Sequence, residues 1–137
     1  TTDVIVGFPG ETDEEFNKTY QFLKEIKFYK MHVFKYSPRK GTKAAVMKNQ
    51  VPGDIKEERS KKLIELSNEN EFQYNSSYIG KNVKVLFEEE KVGVYKGHTQ
   101  NYIMVYCKSK EMLDNKIKTV NCVKVENDYI IGNVIEM

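Results

Sequence analysis

The stretch that most constrains this chain is Thr2-Asp3-Val4-Ile5-Val6-Gly7-Phe8-Pro9-Gly10-Glu11-Thr12, with the residues just after it. Val4, Ile5 and Val6 form a short unbroken apolar run, the pattern of a strand buried on both faces of a parallel sheet. Gly7 and the Pro9-Gly10 pair interrupt it with a turn. Thr12, with Glu15 three residues on, makes a capping box, and Phe16, Tyr20, Leu23 and Ile26 then recur at helical spacing. A strand, a Gly-rich turn and a capped helix are half of a βαβ unit, and α/β folds gather ligands at the carboxyl ends of such strands. Spacing alone favours a plain tight connection, because short Gly-rich turns are common.

The residues are more specific than their spacing. Thr2–Thr12 resembles the fifth-strand motif of radical S-adenosylmethionine (SAM) enzymes of the methylthiotransferase family. Downstream, His32-Val33-Phe34-Lys35-Tyr36-Ser37-Pro38-Arg39-Lys40-Gly41-Thr42 is similar to the sixth-strand region of the branch that modifies threonylcarbamoyladenosine in tRNA. The resemblance implies an enzyme that inserts a methylthio group into a tRNA base, with SAM as radical source and methyl donor. It also implies a 4Fe–4S cluster held by a C-x-x-x-C-x-x-C run. That run is absent here, so the chain alone is expected to be inactive and is assigned no catalytic residue and no metal ligand. Matched motif positions put Ile5 and Gly7 against SAM, and Phe34 and Tyr36 near the adenine or the substrate. Glu11 follows Gly7 by four residues where the wider superfamily's glutamate follows by three, so it receives no SAM contact.

With 137 residues the chain has room for one ordinary domain or two small ones, and its 22 basic and 20 acidic residues nearly balance. No apolar run approaches the ~18 residues of a membrane span. The chain opens at Thr1, directly into a buried-type strand that needs neighbours, which reads as the C-terminal fragment of a longer protein. Cys107 and Cys122 are too far apart for a C-x-x-C signature and sit in apolar, strand-like contexts, as buried thiols do. Nothing points to an oxidising compartment, and a cytoplasmic setting is expected. Between Ile26 and Gly53 there is no acid, while Lys27, Lys30, Lys35, Arg39, Lys40, Lys43 and Lys48 all fall there. A run of one sign suits phosphates or a carboxylate, though a solvated loop explains it nearly as well. Arg39 and Lys40 are its RNA-binding candidates, just past the predicted strand Met31–Tyr36. His32, at a strand edge, reads as a hydrogen-bonded structural residue.

Val51-Pro52-Gly53-Asp54 punctuates the chain, and Asp54 caps a predicted helix running to about Ser76. Its apolar stripe of Ile55, Leu63, Leu66 and Phe72 is narrow, with Lys56, Glu57, Glu58, Lys61 and Lys62 expected to face water. From Tyr78 the texture becomes short alternating strands. Turns are predicted at Glu89-Glu90-Lys91 and Asn127-Asp128, with a polar loop at Gly97–Asn101. The expected apolar set is Val83, Val85, Val92, Val94, Val105, Val123 and Ile131. Five such strands suggest a small β-barrel. Gly80-Lys81, Gly97–Tyr102 and Tyr129–Gly132 make this region similar to the TRAM domain, an RNA-binding barrel of tRNA-modifying enzymes. Tyr95, Lys96, His98, Asn101 and Tyr102 combine rings that stack on bases with groups that reach phosphates. The fold class expected is therefore α/β plus all-β. Residues 1–53 would be the C-terminal part of a radical SAM partial (β/α) barrel, 54–77 a connecting helix, and 78–137 a TRAM-like five-stranded β-barrel with tRNA as partner. The rival readings are a methylthiotransferase acting on a ribosomal protein and a non-catalytic RNA-binding module.

Overall fold

The computed structural model of the chain describes residues 1–135, so the end of the expected 78–137 barrel lies outside the described residues. The chain divides into two compact units, Thr1–Glu71 and Phe72–Met137.

In the first unit, β1 (Thr2–Val6) and β2 (Met31–Lys35) pair in parallel, with Ile5 opposite Phe34 and Asp3 opposite His32. Between them runs α1 (Asp13–Ile26), the crossover that parallel pairing requires. Its start is set by Thr12, whose side chain accepts the Glu15 amide at 3.1 Å, and its end by Lys27 in the left-handed conformation. Phe16 and Leu23 are buried, but Ile26 is exposed, because it lies roughly 80° around the helix from Phe16 and the helix stops there. A short 3₁₀ turn, Ala44–Val46, precedes α2 (Gly53–Ser76), whose last residues belong to the second unit. Val6, Phe16, Leu23, Met31, Leu63 and Leu66 form the core between the sheet and the two helices.

The sheet is therefore covered on one face only. Ile5 is 59% exposed, and Asp3, His32 and Phe34 are exposed beside it, so burial of β1 on both faces does not hold among the described residues. The helices supply neighbours to the Val6–Met31 side alone.

The narrow stripe of α2 has a physical explanation. Its buried face continues as Arg59, Ser60, Ser67, Asn70, Glu71 and Asn75, which hydrophobic periodicity does not register. Ser67 accepts the Met31 amide at 2.9 Å, and Glu71 meets Lys30 at 3.6 Å. Phe72 is exposed rather than packed, and Lys56 is half-buried rather than facing water.

The second unit is a closed barrel of β3 (Asn82–Lys91), β4 (Val94–Thr99), β5 (Met104–Lys108), β6 (Ile117–Glu126) and β7 (Tyr129–Val134), in the order β3-β4-β5-β7-β6 with β6 closing on β3. The β5–β7 pairing is parallel and the others antiparallel. The first hairpin turns at Val92-Gly93, both at positive φ, and not at Glu89–Lys91. Positive φ at both central residues suits a two-residue hairpin. Val92 is consequently 92% exposed, outside the core where it was expected. Val123 is exposed too, because the β6–β7 register shifts between Cys122 and Lys124. Val85 and Val105 are buried as expected, Val83, Val94 and Ile131 are half-buried, and Phe87, Tyr95, Ile103, Cys107, Leu113, Val120, Cys122 and Ile130 complete the core.

Both cysteines are free and buried. Burial pushes the Cys107 thiol up to about 11 and raises that of Cys122. Thiolate is the reactive form, so neither should react with iodoacetamide at neutral pH in the folded chain, and both should react after denaturation. Rapid native alkylation, read by mass, would contradict this packing.

Candidate functional site

The carboxyl ends of β1 and β2 bring together three of the four positions matched to SAM. Ile5, Phe34 and Tyr36 share one side of the sheet and line a recess of about 400 Å³ with Ser37, Arg39 and Thr42. Tyr36 packs edge-on against Phe8 with ring centroids 5.4 Å apart, and its amide donates to the Val6 carbonyl at 2.8 Å. The Tyr36 hydroxyl is buried and has no hydrogen-bond partner among the described residues. The fourth position, Gly7, is not part of the recess lining. Its φ of +77° suits glycine, and its amide donates to Glu11 Oε1 at 2.9 Å. Arg39 reaches the recess, and its carbonyl accepts from Thr42 Oγ1 at 2.7 Å, while Lys40 is exposed on the loop beyond. His32 is exposed rather than enclosed.

Sequence reasoning missed the clasp that fixes this strand end. Arg59 of α2 is only 5% exposed. It donates to Glu11 Oε1 at 2.7 Å, to the Glu11 carbonyl at 3.1 Å and to Asp13 Oδ1 at 2.9 Å. Burial opposes its charge, but the bonds to Asp13 and Glu11 outweigh that and raise its pKa. Glu11 is thus committed to Gly7 and Arg59. Three residues earlier on α2, Lys56 donates to the Tyr36 carbonyl at 3.0 Å, and its stem fills the space where a Cβ on Gly7 would sit. Lys35 pairs with Glu57, holding that carboxyl below its usual range. The only sequence sign was a set of charges recurring through the first turns of a helix, a pattern normally read as solvated.

The recess offers two aromatic rings, an apolar side chain, an orphaned hydroxyl and a cation, a donor set that fits a nucleoside-bearing cofactor such as SAM. The cluster does not fit. Among the described residues no group of three His, Cys, Asp or Glu side chains converges to hold a metal, and both cysteines are inside the barrel.

On the barrel, His98 and Tyr102 share a groove of about 570 Å³ with Lys84, Leu86, Glu88 and Ile117. Tyr102 is 83% exposed, although it is a bulky residue at φ +65°. Its turn is held by the Thr99 amide to the Ile103 carbonyl at 3.0 Å, the Tyr102 amide to the Thr99 carbonyl at 3.0 Å, and the Ile103 amide to Thr99 Oγ1 at 3.0 Å. Asn101 acts inside this scaffold. It accepts from Thr99 Oγ1 at 2.6 Å and donates to the Tyr74 and Tyr78 hydroxyls at 3.0 and 3.2 Å. The bond to Tyr78 and burial raise the Tyr74 pKa against the opposing effect of Asn101. His98 Nδ1 lies 3.0 Å from Glu88.

Three expectations change here. Tyr95 is only 6% exposed and packs on Phe87 inside the barrel, so its ring is not offered to a partner. Gly97, His98 and Thr99 belong to β4 and not to a polar loop. Lys96 is half-buried on the same strand and does not line the groove.

No helix among the described residues is long and apolar enough to cross a membrane. No family model matches the chain. It is 42% identical, over its whole length, to a threonylcarbamoyladenosine tRNA methylthiotransferase of Bacillus subtilis, covering 32% of that protein. It is 39% identical over its whole length to a tRNA-2-methylthio-N(6)-dimethylallyladenosine synthase of Aquifex aeolicus, covering 31% of it, and 38% identical over 98% of its length to the synthase of Endomicrobium trichonymphae, covering 32%. The chain thus spans about a third of the length of the curated relatives it matches. End to end, then, the chain resembles the radical SAM methylthiotransferase family.

Proposed function

We propose that this chain is the part of a tRNA methylthiotransferase that contributes one wall of the SAM site and holds the tRNA. In this reading the first unit is the last portion of a radical SAM partial (β/α) barrel, with its exposed sheet face turned toward cofactor and substrate. SAM, when bound, would supply the radical and the methyl group. Ile5, Phe34 and Tyr36 would pack against it and exclude water, while Lys56 and Arg59 keep the strand ends in place. The cluster would be held by residues outside this chain, which by itself would not turn SAM over. The nucleoside modified would be threonylcarbamoyladenosine, as the name of the Bacillus subtilis relative says of that enzyme. A cytoplasmic setting goes with this proposal.

The second unit would be the TRAM-like RNA-binding module. The observation that carries this is Tyr102, a ring held out to solvent by a turn that three backbone amides tie down, in a backbone conformation that costs a bulky residue energy. Leu86 and Ile117 beside it extend an apolar floor for a base, and Lys84 supplies a cation for phosphate. A stacked base is worth ~1–3 kcal/mol, so Tyr102→Ala should weaken tRNA binding roughly five-fold or more. The ring makes no core contact, and the circular dichroism spectrum should be unchanged. A folded Tyr102→Ala chain that binds tRNA like the parent would remove Tyr102 from the interface.

A further inference from the structure

The barrel carries a second recess that neither the strand-end site nor the Tyr102 groove uses. It measures about 610 Å³ and lies where β5 ends and β6 and β7 pass, with Lys108, Lys110, Lys118, Ser109, Glu111 and Asn133 in its wall. Three ammonium groups against one carboxylate leave it with an excess of two positive charges. None of the three lysines belongs to an ion pair among the described residues, whereas Lys124 on the same barrel is paired with Glu126 at 2.8 Å.

The backbone around the recess is well tied. Ser109 donates its amide to the Gly93 carbonyl at 3.0 Å, accepts the Glu111 amide at 3.1 Å and donates its hydroxyl to the Glu111 carbonyl at 3.0 Å. Leu113 in the wall is fully buried and anchors the loop. Lys118 alternates in phase with the buried Val120 and Cys122 along β6, so it is half-buried and keeps to the recess side. Three like charges converging on one concavity repel one another, and a bound polyanion removes that cost.

We propose that this recess is a second RNA contact of the barrel, a phosphodiester-binding site at which Lys108, Lys110 and Lys118 neutralise the backbone of the strand whose base stacks at Tyr102, or of its continuation. The inference rests on the RNA-binding reading above. It adds a site that positions without reading sequence, since contacts to phosphate carry no sequence information. Flexible lysines without a planar bidentate fork suit this role.

The test is a titration of the ¹⁵N-labelled whole chain, in separate arms, with unmodified tRNA and with pyrophosphate. It is paired with salt-dependent RNA binding of the parent and of the Lys108→Gln/Lys110→Gln/Lys118→Gln variant. The expected result is that RNA shifts the amides of Ser109, Lys110 and Asn133 together with those of the Tyr102 turn. The log–log salt slope should then fall by roughly 2 to 2.7 in the triple variant. RNA that shifts the Tyr102 turn and leaves the recess still, with an unchanged slope, overturns the inference and spares the RNA-binding reading. Shifts at the recess with pyrophosphate but not with RNA overturn the phosphodiester assignment in favour of a small free anion. No shift anywhere with RNA overturns both the reading and the inference.

Discussion

Gly97→Ala should unfold the barrel or bring it close to unfolding. A Cβ built on Gly97 lies 2.3 Å from the Leu86 carbonyl oxygen and 2.7 Å from Val85 Cγ1. The first of these is main chain in the paired strand β3, so it cannot swing aside as a side-chain end would. Forcing an extra carbon into a packed core costs ~1–3 kcal/mol and occasionally more. A barrel of this size has only a few kcal/mol to lose. Gly132→Ala should behave similarly, because its Cβ would meet Val120 Cγ1 at 2.5 Å and the Asn121 carbonyl oxygen at 2.6 Å. Gly53→Ala is the control. Nothing lies within 4 Å of its added carbon, and its φ is not positive. Amide hydrogen exchange across β3–β4 should collapse in the Gly97 variant and stay at parent level in the Gly53 variant. Parent-level protection in Gly97→Ala would show that the strands do not approach this closely.

Arg59→Met should cost the first unit about 2–3 kcal/mol, the range for charge-assisted hydrogen bonds with one partner removed. The figure stays below that of a fully buried pair, because Asp13 is exposed and can be resolvated. Glu11 is mostly buried and would be left holding only the Gly7 amide. The signature would be local, namely faster exchange of the Gly7 amide and a shift of its resonance, with the barrel amides unaffected. Arg59→Lys should recover part of the charge but not the three-point geometry. An unmoved Gly7 resonance in Arg59→Met would mean that the strand end holds its shape without the clasp.

These two residues also mark where the sequence was opaque. The strand–turn–helix start was legible because each signal was local: an apolar run, a Pro-Gly turn, Thr12 three residues before Glu15. The roles of Ile5, Phe34 and Tyr36 came from matched motif positions alone, and it is the parallel register aligning Ile5 with Phe34 that brings them to one recess. Arg59 was invisible because it is buried by hydrogen bonds to partners in the β1–α1 turn, and hydrophobic patterning cannot see a polar buried stripe. Tyr95 was misplaced because the first hairpin turns at Val92-Gly93, with a register shift between Phe87 and Glu89. An error of one residue in strand phase sends every side chain to the opposite face. The same error made Gly97 a loop residue, when it lies in β4 opposite Phe87 with no room for a Cβ against the Leu86 carbonyl. Tyr74 and Tyr78 drew no attention as helix-end residues, yet with Asn101 they brace the turn that presents Tyr102.

The most direct test of the account is the equilibrium binding of unmodified tRNA to the folded whole chain at low salt, followed by fluorescence anisotropy. Saturable binding is predicted, with an affinity that falls linearly on a log–log plot against salt, as phosphate contacts require. A chain that is folded by circular dichroism and shows no affinity for tRNA at low salt would contradict it.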